Sequence, residues 1–145
     1  MKIPVTRKEL MHPLPVFAHP GDAGADLTAS EPVTLEPGER ALVPTGLAIA
    51  IPTGFAGFVL PRSGLAVKSG ITVINAPGLI DSGYRGELRV GLVNLGNSAF
   101  TISSGDRIAQ LVIMAVLAPE FIEVDDLDDT HRGSDGFGST GVTSP

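Results

Sequence analysis

The segment NAPGLIDSGYRGELRV, residues 75–90, combines an amide, a carboxylate and an aromatic ring within a glycine-rich stretch. Its glycines are typical of a turn between strands, but a turn requires neither Asp81 nor Tyr84, the only tyrosine of the chain. Asn75 adds a side-chain amide at the start of the segment. These residue types indicate a hairpin that binds a ligand or performs chemistry.

The segment PRSGLA, residues 61–66, brings an arginine, a hydroxyl and a glycine to a predicted helix start. Residues 63–70 are where a short helical turn is expected, with Ser63 as its cap and free backbone N–H groups at its beginning. Arg62, Ser63 and Gly64 would together form an anion cradle. The alternative is a capped turn with a surface arginine.

Two further segments place polar groups in apolar surroundings. DAGADL, residues 22–27, has small residues around two aspartates, which would let the backbone approach a ligand closely. The alternative is a tight turn that enters a strand. GDRIAQL, residues 105–111, sets Gln110 within an apolar run, where a buried amide needs partners. The alternative is a residue on an edge strand that faces water.

The tail segment RGSDGFGSTG, residues 132–141, matches the G-x-G-x-x-G spacing of dinucleotide-binding folds. That fingerprint requires a following helix, and only four residues follow here, so the match is a decoy. A glycine-rich strip with an arginine can still wrap phosphates through its N–H groups. Phe137 within it is a candidate for stacking on a flat ligand.

The other charged candidates are assigned no chemistry. His12, His19 and His131 lack the spacing of metal ligands and are expected to be solvated on the surface. The acidic run 125–129 is expected to be a solvated loop. The segments above together supply phosphate-binding donors, spare carboxylates, an amide and two aromatic rings. This set is suited to a nucleotide with a phosphate chain and a divalent metal ion.

Composition bounds the elements that must position these groups. The chain has 145 residues, enough for one domain with one core. Aromatic residues make up only 5% and tryptophan is absent, so the core should consist of Val, Ile, Leu and Ala, which favours β structure. Cysteine is absent, which excludes disulfides and thiolate metal sites.

The charge and the apolar runs exclude other classes. The net charge is −6 and no basic patch is visible, so a nucleic-acid partner is not expected. The N-terminus lacks the apolar run of a signal peptide, and no apolar stretch approaches the roughly 20 residues of a membrane span. A cytoplasmic protein without a membrane partner is therefore expected.

Short β-rich runs follow one another as far as about residue 118, separated by turn residues. Many short strands at regular spacing indicate a sandwich or barrel rather than βαβ units. Residues 105–117 are ambiguous by periodicity, and their β-branched content favours a strand. From about Pro119 an acidic run and a Gly/Ser/Thr tail follow, and the last dozen residues are expected to be mobile. The predicted strands cover residues 33–35, 41–43, 47–51, 55–60, 71–74, 87–94 and 100–102.

The five segments resemble, in order, the five motifs of the trimeric dUTP diphosphatases (dUTPases), over residues 22–141. The resemblance implies an all-β, jelly-roll-like barrel or sandwich of the β-clip type, with a domain over 1–118 and an arm and flexible glycine-rich tail over 119–145. It also implies a homotrimer with active sites shared between subunits, Mg²⁺ as cofactor, and hydrolysis of dUTP to dUMP and pyrophosphate.

The resemblance also implies roles for the residues of the hairpin and of Asp26. Asp81 resembles the general base that activates water for attack on the α-phosphorus. Tyr84 resembles the ring on which the deoxyribose packs, which leaves no room for a 2′-hydroxyl. Asn75 and the backbone near Gly78 resemble the uracil-reading hairpin. Asp26 resembles the acid that holds Mg²⁺ through water.

The phosphate contacts and the tail are implied in the same way. Four residues of this chain resemble those that contact the phosphates from a neighbouring subunit: Arg62, Ser63, Gly64 and Gln110. In the tail that closes over the site, Phe137 resembles the ring that stacks on uracil. The resemblance further implies that the γ-phosphate is bound by Arg132, Gly138, Ser139 and Thr140. The tail departs from the family pattern at Asp135, where glycine is usual.

Two alternatives remain open from the sequence. The dCTP deaminases share this fold and resemble the chain around PRSGLA and IDSGYRG, but Gly91 stands where their catalytic glutamate lies, and Tyr84 where they have tryptophan. The other alternative is a nucleotide-binding or regulatory module without catalysis. Asp81, Tyr84, Arg62 and Arg132 are all present, which argues against loss of activity.

Overall fold

The computed structural model describes residues 1–134 and residue 136. These residues form short strands and one helix of seven residues, which confirms the all-β prediction. The strands are Val5–Arg7 (β1), Ala25–Thr28 (β2), Val33–Leu35 (β3), Arg40–Pro44 (β4), Leu47–Ile49 (β5), Phe55–Leu60 (β6), Ile71–Val73 (β7), Gly78–Ile80 (β8), Arg89–Asn94 (β9), Phe100–Ile102 (β10) and Arg107–Ala115 (β11), and the helix is Ser63–Ser69 (α1).

Seven predicted runs correspond to strands, and three of them, β3, β6 and β10, have the predicted bounds. The ambiguous run 105–117 contains β11, so the preference for a strand is confirmed. The strands β1, β2 and β8 are not among the predicted runs. Each has only three or four residues and exists through pairing with a strand distant in sequence, which local pattern does not encode.

The sheet that carries most candidate residues has the strand order β2-β11-β6-β8, with every pair antiparallel. Its register places Gln110 of β11 opposite Asp26 of β2 on one side and opposite Leu60 of β6 on the other. A second sheet, β4-β9-β7, faces the same core, and two-stranded pairs β1-β5 and β10-β3 complete the fold. The end of β6 thus leads into the start of α1, and β8 lies within the hairpin segment.

The core is built from Val, Ile, Leu and Ala, as composition predicts. The inward positions of β9 alternate with outward ones, as expected for a strand with one buried face. Burying each such aliphatic side chain contributes about 1.5–3 kcal/mol. The fully buried aliphatic side chains are Leu27, Leu35, Val43, Leu47, Ile71, Val90, Leu92, Ile102 and Ile108.

His12 is buried, which makes the prediction of a solvated histidine wrong at this position. Its ring packs against Gly46, whose φ of +71° and missing side chain leave the space: a Cβ there would lie 2.6 Å from His12 Cε1. The sequence around His12 does not predict its burial, because the contacting residue, Gly46, is distant in sequence. His19 and His131 are exposed, as predicted.

After β11 the described residues contain neither helix nor strand, and the acidic run 125–129 is exposed as predicted. The division at about residue 118 into a domain and an arm stays a prediction. Over the described part of the chain, no helix has the length and apolar character required to cross a membrane.

Candidate active site

The hairpin segment surrounds the short strand β8. Asp81 follows β8 directly, and the amide of Tyr84 donates to the Asp81 carbonyl at 3.1 Å, which closes a turn. The guanidinium of Arg85 secures this turn by donating to the carbonyls of Ser82 (2.6 Å) and Tyr84 (2.7 Å). The local hydrogen bonds therefore fix the backbone that carries the carboxylate and the ring.

The carboxylate of Asp81 is exposed, and within the described residues it makes no hydrogen bond or ion pair. This sets it apart from Asp26, Glu87 and Asp106, whose oxygens are engaged by protein donors. An unengaged carboxylate can accept a proton or a hydrogen bond from water. Its place supports the sequence-based candidate for a general base.

Asp81 and Tyr84 lie in a cavity of about 290 Å³, and Asn75 and Gly78 lie in a neighbouring one of about 250 Å³. The two cavities share five residues and so form one continuous surface, which we call the hairpin groove. The shared residues are Leu42, Val59, Leu79, Ile80 and Arg89. Four of the five shared residues are apolar and the fifth is Arg89, so the floor of the groove is mainly apolar, with Asp81, Tyr84, Glu87 and Asn75 placed around it.

Gly78 makes room for the amide of Asn75. A Cβ at Gly78 would lie 3.3 Å from Asn75 Nδ2, which is a tight contact, and 3.4 Å from Val59 Cβ, which is at the limit of ordinary van der Waals contact. Asn75 itself is exposed, and its amide makes no hydrogen bond within the described residues. The groove thus offers an amide and nearby backbone groups to a flat polar ligand.

The start of α1 forms a second cavity of about 280 Å³, which we call the helix cleft. Its side chains supply two cations, hydroxyls and one amide. It is lined by Arg62, Ser63, Gly64, Leu65, Lys68, Ser69 and Gln110. The four sequence candidates for phosphate contacts therefore lie together.

The predicted capping role of Ser63 is wrong. The residue before the helix is Arg62, whose extended backbone (φ −88°, ψ 124°) makes it the N-cap, and no side chain caps the helix. Ser63 is the first helical residue instead. The first N–H groups of the helix thus lack a side-chain acceptor, which leaves them available to an anion.

Asp26 holds two arginines beside the helix cleft. Its Oδ1 lies 3.3 Å from Arg62 Nε, and its Oδ2 accepts a hydrogen bond from Arg107 Nη1 at 3.2 Å. The Asp26 side chain is 10% exposed, and Oδ1 accepts no hydrogen bond within the described residues. Arg62 Nη1 also donates to the Arg107 carbonyl at 3.3 Å, so the three side chains form one cluster.

Gln110 lies on β11 between β2 and β6, so the alternative of an edge strand is wrong. The residue is half-buried, and its side chain packs against Gly24, where a Cβ would lie 3.1 Å from Gln110 Cβ. The small residues of DAGADL therefore do allow a close approach, and the group they admit is Gln110. The amide of Gln110 has no hydrogen-bond partner in the described residues and lines the helix cleft.

The hairpin groove and the helix cleft share no lining residue. The residues predicted from the sequence fall into both cavities. The hairpin groove contains Asp81, Tyr84, Asn75 and Gly78, and the helix cleft contains Arg62, Ser63, Gly64 and Gln110. Sequence reasoning missed Arg107, although this residue belongs to the quoted segment GDRIAQL, and it missed Glu87. The contact of Glu87 spans 41 residues of chain, and no local pattern encodes it.

A protein cage for a metal ion is absent from residues 1–134 and 136, which contain no group of three or more suitable side chains. Mg²⁺ commonly keeps several waters and uses one or two carboxylates together with substrate phosphates. Asp26 fits this lesser role, since its Oδ1 is a buried oxygen that faces Arg62 Nε at 3.3 Å but accepts no hydrogen bond, and it lies beside the helix cleft.

The tail candidates fall mostly outside the described residues, and these are Phe137, Gly138, Ser139 and Thr140. Arg132 is described and exposed. Asp135 is likewise outside the described residues. Their roles stay predictions.

The family model described as dUTPase matches residues 11–141. A deoxyuridine 5′-triphosphate nucleotidohydrolase of Leifsonia xyli is 59% identical, over 97% of this chain and 91% of its own length. One of Gloeothece citriformis is 51% identical, over 99% of both chains. These relatives confirm the resemblance that the five segments indicate.

Solved structures show the same fold. The dUTPase of Staphylococcus bacteriophage 80alpha with bound dUpNHpp is 31% identical, covers 97% of this chain and 99% of its own, and has a TM-score of 0.90. A variant of the dUTPase from phage phi11 of S. aureus, described with a structural Mg(II) ion, is 28% identical, covers 89% of this chain and 100% of its own, and has a TM-score of 0.82. The chain belongs to the dUTPase family.

Proposed function

We propose that this protein hydrolyses dUTP to dUMP and pyrophosphate. The observation that carries the proposal is the hairpin groove, where an unengaged carboxylate, an aromatic ring and an amide lie along one apolar surface. In a cell this reaction would limit uracil incorporation into DNA and supply dUMP for dTMP synthesis. A cytoplasmic location belongs to the same proposal.

Asn75 and the backbone at Gly78 would read the uracil ring. Asn75 has an amide free within the described residues, and the missing side chain at Gly78 lets backbone groups touch the base. An amide can pair with both the donor and the acceptor edges of a pyrimidine. The apolar floor of the groove would exclude water from the base.

Tyr84 would form the wall that rejects a 2′-hydroxyl. Rejecting a substrate that carries one extra hydroxyl is difficult for a merely apolar pocket, because such a pocket discriminates weakly against an added group. A fixed ring in contact with the deoxyribose discriminates by exclusion instead. The hydrogen bond from Tyr84 Oη to the Glu87 carbonyl at 2.9 Å supports a fixed ring.

Asp81 would act as the general base. Its carboxylate accepts a proton from water as the water oxygen bonds to the α-phosphorus, and the bond from that phosphorus to the oxygen bridging to the β-phosphorus breaks. Pyrophosphate leaves with the bond electrons, and dUMP keeps the new oxygen. The exposure of Asp81 allows water to reach it.

The triphosphate would lie in a helix cleft, held by Arg62, the hydroxyl of Ser63, the backbone at Gly64 and the amide of Gln110. Asp26 would hold Mg²⁺ through water. When bound, the ion offsets phosphate charge and orients the chain of phosphates. Arg62 is kept in place by its ion pair with Asp26, so the cleft is pre-organised for an anion.

A homotrimer would join the two parts of the site. The groove and the cleft of one chain share no lining residue, which supports a site that combines the hairpin of one subunit with the helix cleft of its neighbour. The tail would then close over the nucleotide, with Phe137 on uracil and Arg132, Gly138, Ser139 and Thr140 on the γ-phosphate.

Deamination of dCTP is disfavoured at Gly91. The residue carries no acid, and a side chain there would meet Ile74 Cγ2 at 3.0 Å, so the groove leaves no room for a glutamate without a shift. The alternative of a non-catalytic module is not favoured either, because the Asp81 carboxylate has no protein partner within the described residues and is available to a water molecule.

The test is pyrophosphate release by the purified protein with Mg²⁺ on dUTP, UTP, dCTP and dTTP in parallel. Release from dUTP alone is expected. Silence on all four, with ammonia released from dCTP, would replace hydrolysis by deamination. Silence in both assays, with retained binding of dUTP by calorimetry, would favour the binding module.

A further inference from the structure

We propose that Glu87 is a positioning residue: its side chain anchors the backbone to which Tyr84 is tethered, and so fixes the ring that discriminates deoxyribose from ribose. This inference rests on the proposed function through the role of Tyr84. It assigns Glu87 a part in substrate selectivity without contact to the reacting atoms.

The Tyr84 ring is held by the two positions that follow Arg85. Its hydroxyl donates to the Glu87 carbonyl at 2.9 Å, and its ring lies against the backbone of Gly86. A Cβ at Gly86 would lie 2.7 Å from Tyr84 Cζ and 3.0 Å from Cε2, so only glycine allows this packing. The ring is nevertheless 46% exposed, so these contacts, rather than burial, must set its orientation.

The side chain of Glu87 ties this arrangement to the body of the fold. Its Oε1 accepts the N–H of Gly46 at 2.9 Å, across 41 residues of chain, and its Oε2 accepts Arg89 Nε at 3.2 Å. Hydrogen bonds from a neutral N–H to a carboxylate are stronger than those between neutral groups.

Gly46 is a firm anchor because it is itself buried. Its carbonyl accepts the N–H of Lys8 at 2.8 Å, and the ring of His12 packs on its Cα. The next residue, Leu47, belongs to β5 and is 1% exposed. The peptide unit of the Glu87 carbonyl is also bonded to the core directly, because the Leu88 N–H donates to the Leu47 carbonyl at 2.7 Å. The Glu87 side chain adds a second attachment, at Gly46, and this one fixes the segment that holds the Tyr84 hydroxyl on both sides.

The ion pair of Glu87 with Arg89 is a weaker candidate than the bond to Gly46 for the contact that fixes Tyr84. Arg89 is 52% exposed, and exposed ion pairs contribute little. The bond to Gly46 is half-buried and joins two elements that are distant in sequence. Selectivity should therefore depend on the acceptor oxygen that faces Gly46.

Tyr84 is the only tyrosine and the chain has no tryptophan, so the near-ultraviolet circular dichroism of the tyrosine band reports on this ring alone. The variants are Glu87→Ala, Glu87→Gln, which keeps an acceptor oxygen for Gly46, and Tyr84→Phe, which removes the tethering hydroxyl. Glu39→Ala is the matched control, because its carboxylate accepts a backbone N–H of Glu36 at 2.9 Å outside both cavities.

Glu87→Ala is expected to weaken the tyrosine band and to raise the ratio of kcat/KM for UTP over dUTP by about three- to ten-fold, as for loss of one hydrogen bond. Tyr84→Phe should raise the ratio similarly. Glu87→Gln should stay near wild type in both readouts, and Glu39→Ala should change neither. In a Tyr84→Ala background, Glu87→Ala should leave the ratio unchanged.

An unchanged tyrosine band and ratio in Glu87→Ala would overturn the proposal. So would a ratio change that persists in the Tyr84→Ala background, because Glu87 would then act by another route. If the wild type does not hydrolyse dUTP, the proposed function fails, and the tyrosine band of Glu87→Ala still decides whether Glu87 positions the ring.

Discussion

Asp26 and Arg62 form an ion pair in which Oδ1 and Nε are 3.3 Å apart, and the carboxylate is 10% exposed. The second oxygen of Asp26 accepts Arg107 at 3.2 Å. Two guanidinium groups therefore share one buried acid beside the helix cleft, and the acid sets the orientation of both. Removing either arginine leaves the Asp26 carboxylate buried with one counter-charge fewer, which is costly, whereas the Arg62 and Arg107 side chains are 26% and 53% exposed and can be solvated.

We predict that Asp26→Asn raises the Mg²⁺ concentration needed for half-maximal turnover by about 10- to 100-fold, the usual effect of losing an outer-shell partner of a metal. The neutral amide holds both the metal-bound water and the two arginines less firmly. Titration of dUTP hydrolysis with Mg²⁺ measures this shift.

The matched control is Asp22→Asn, in the same segment, whose carboxylate accepts the N–H of His19 at 2.8 Å in an exposed turn. It should leave the Mg²⁺ dependence at the wild-type value. Equal shifts in the two variants would mean that the loss of charge, rather than the site of Asp26, is responsible.

We predict that Asp81→Asn retains nucleotide binding and loses turnover by about a hundred- to ten-thousand-fold, the contribution typical of a positioned general base. The amide has nearly the same shape and cannot take a proton from water. Pyrophosphate release measures turnover, and calorimetry with dUpNHpp measures binding. Glu36→Gln, an exposed acid outside both cavities, is the control. Turnover near wild type in Asp81→Asn would remove this residue as the base.

We predict that Tyr84→Ala raises hydrolysis of UTP relative to dUTP, because it removes the ring that we propose as the wall against the 2′-hydroxyl. The measurement is the ratio of kcat/KM for the two nucleotides, assayed separately at the same Mg²⁺ concentration. The ratio should rise by at least about ten-fold, the discrimination worth about 1.4 kcal/mol. An unchanged ratio would place the reading of the 2′-position elsewhere in the site.

Short motifs predict much of this site because its chemistry is concentrated in turns and element ends. Asp81 and Tyr84 are conspicuous in a glycine-rich hairpin, and Arg62 with Ser63 is conspicuous at a helix start. The strands β3, β6 and β10 are also predictable, since apolar β-branched runs between turn residues suffice to define them.

Contacts between segments distant in sequence are what the sequence leaves hidden. The burial of His12 depends on the space at Gly46, and the anchoring of Glu87 depends on the N–H of the same glycine. The pairing of Arg107 with Asp26 follows from the β2–β11 register, which places their strands side by side. Each of these needs the sheet order, which local pattern does not fix.

We predict that deleting residues 132–145 reduces turnover by about a hundred-fold, because the nucleotide is then no longer enclosed and is less precisely held. The proposed trimer should persist. Pyrophosphate release measures the first effect, and size-exclusion chromatography with light scattering measures the second. Deleting only 142–145, which lie beyond the GSTG segment, should change neither. Monomers after the longer deletion would make the tail an assembly element rather than a lid.

Asn94 is buried at the end of β9 and joins three backbone groups. Its Nδ2 donates to the carbonyls of Leu35 (2.8 Å) and Ser98 (2.9 Å), and its Oδ1 accepts the N–H of Gly96 at 2.9 Å. The residue is 0% exposed, so water does not replace these bonds without rearrangement. It therefore holds the β9–β10 connection against β3.

We predict that Asn94→Ala lowers the free energy of unfolding by about 2–4 kcal/mol, since it leaves buried backbone groups unsatisfied as well as removing hydrogen bonds. Urea denaturation at one fixed protein concentration measures the change, because the stability of an oligomer depends on concentration. Asn97→Ala, an exposed asparagine in the same connection, should cost under about 0.5 kcal/mol. Equal losses in the two variants would contradict the bridging role, because these three hydrogen bonds, one buried and two part-buried, belong to Asn94 alone.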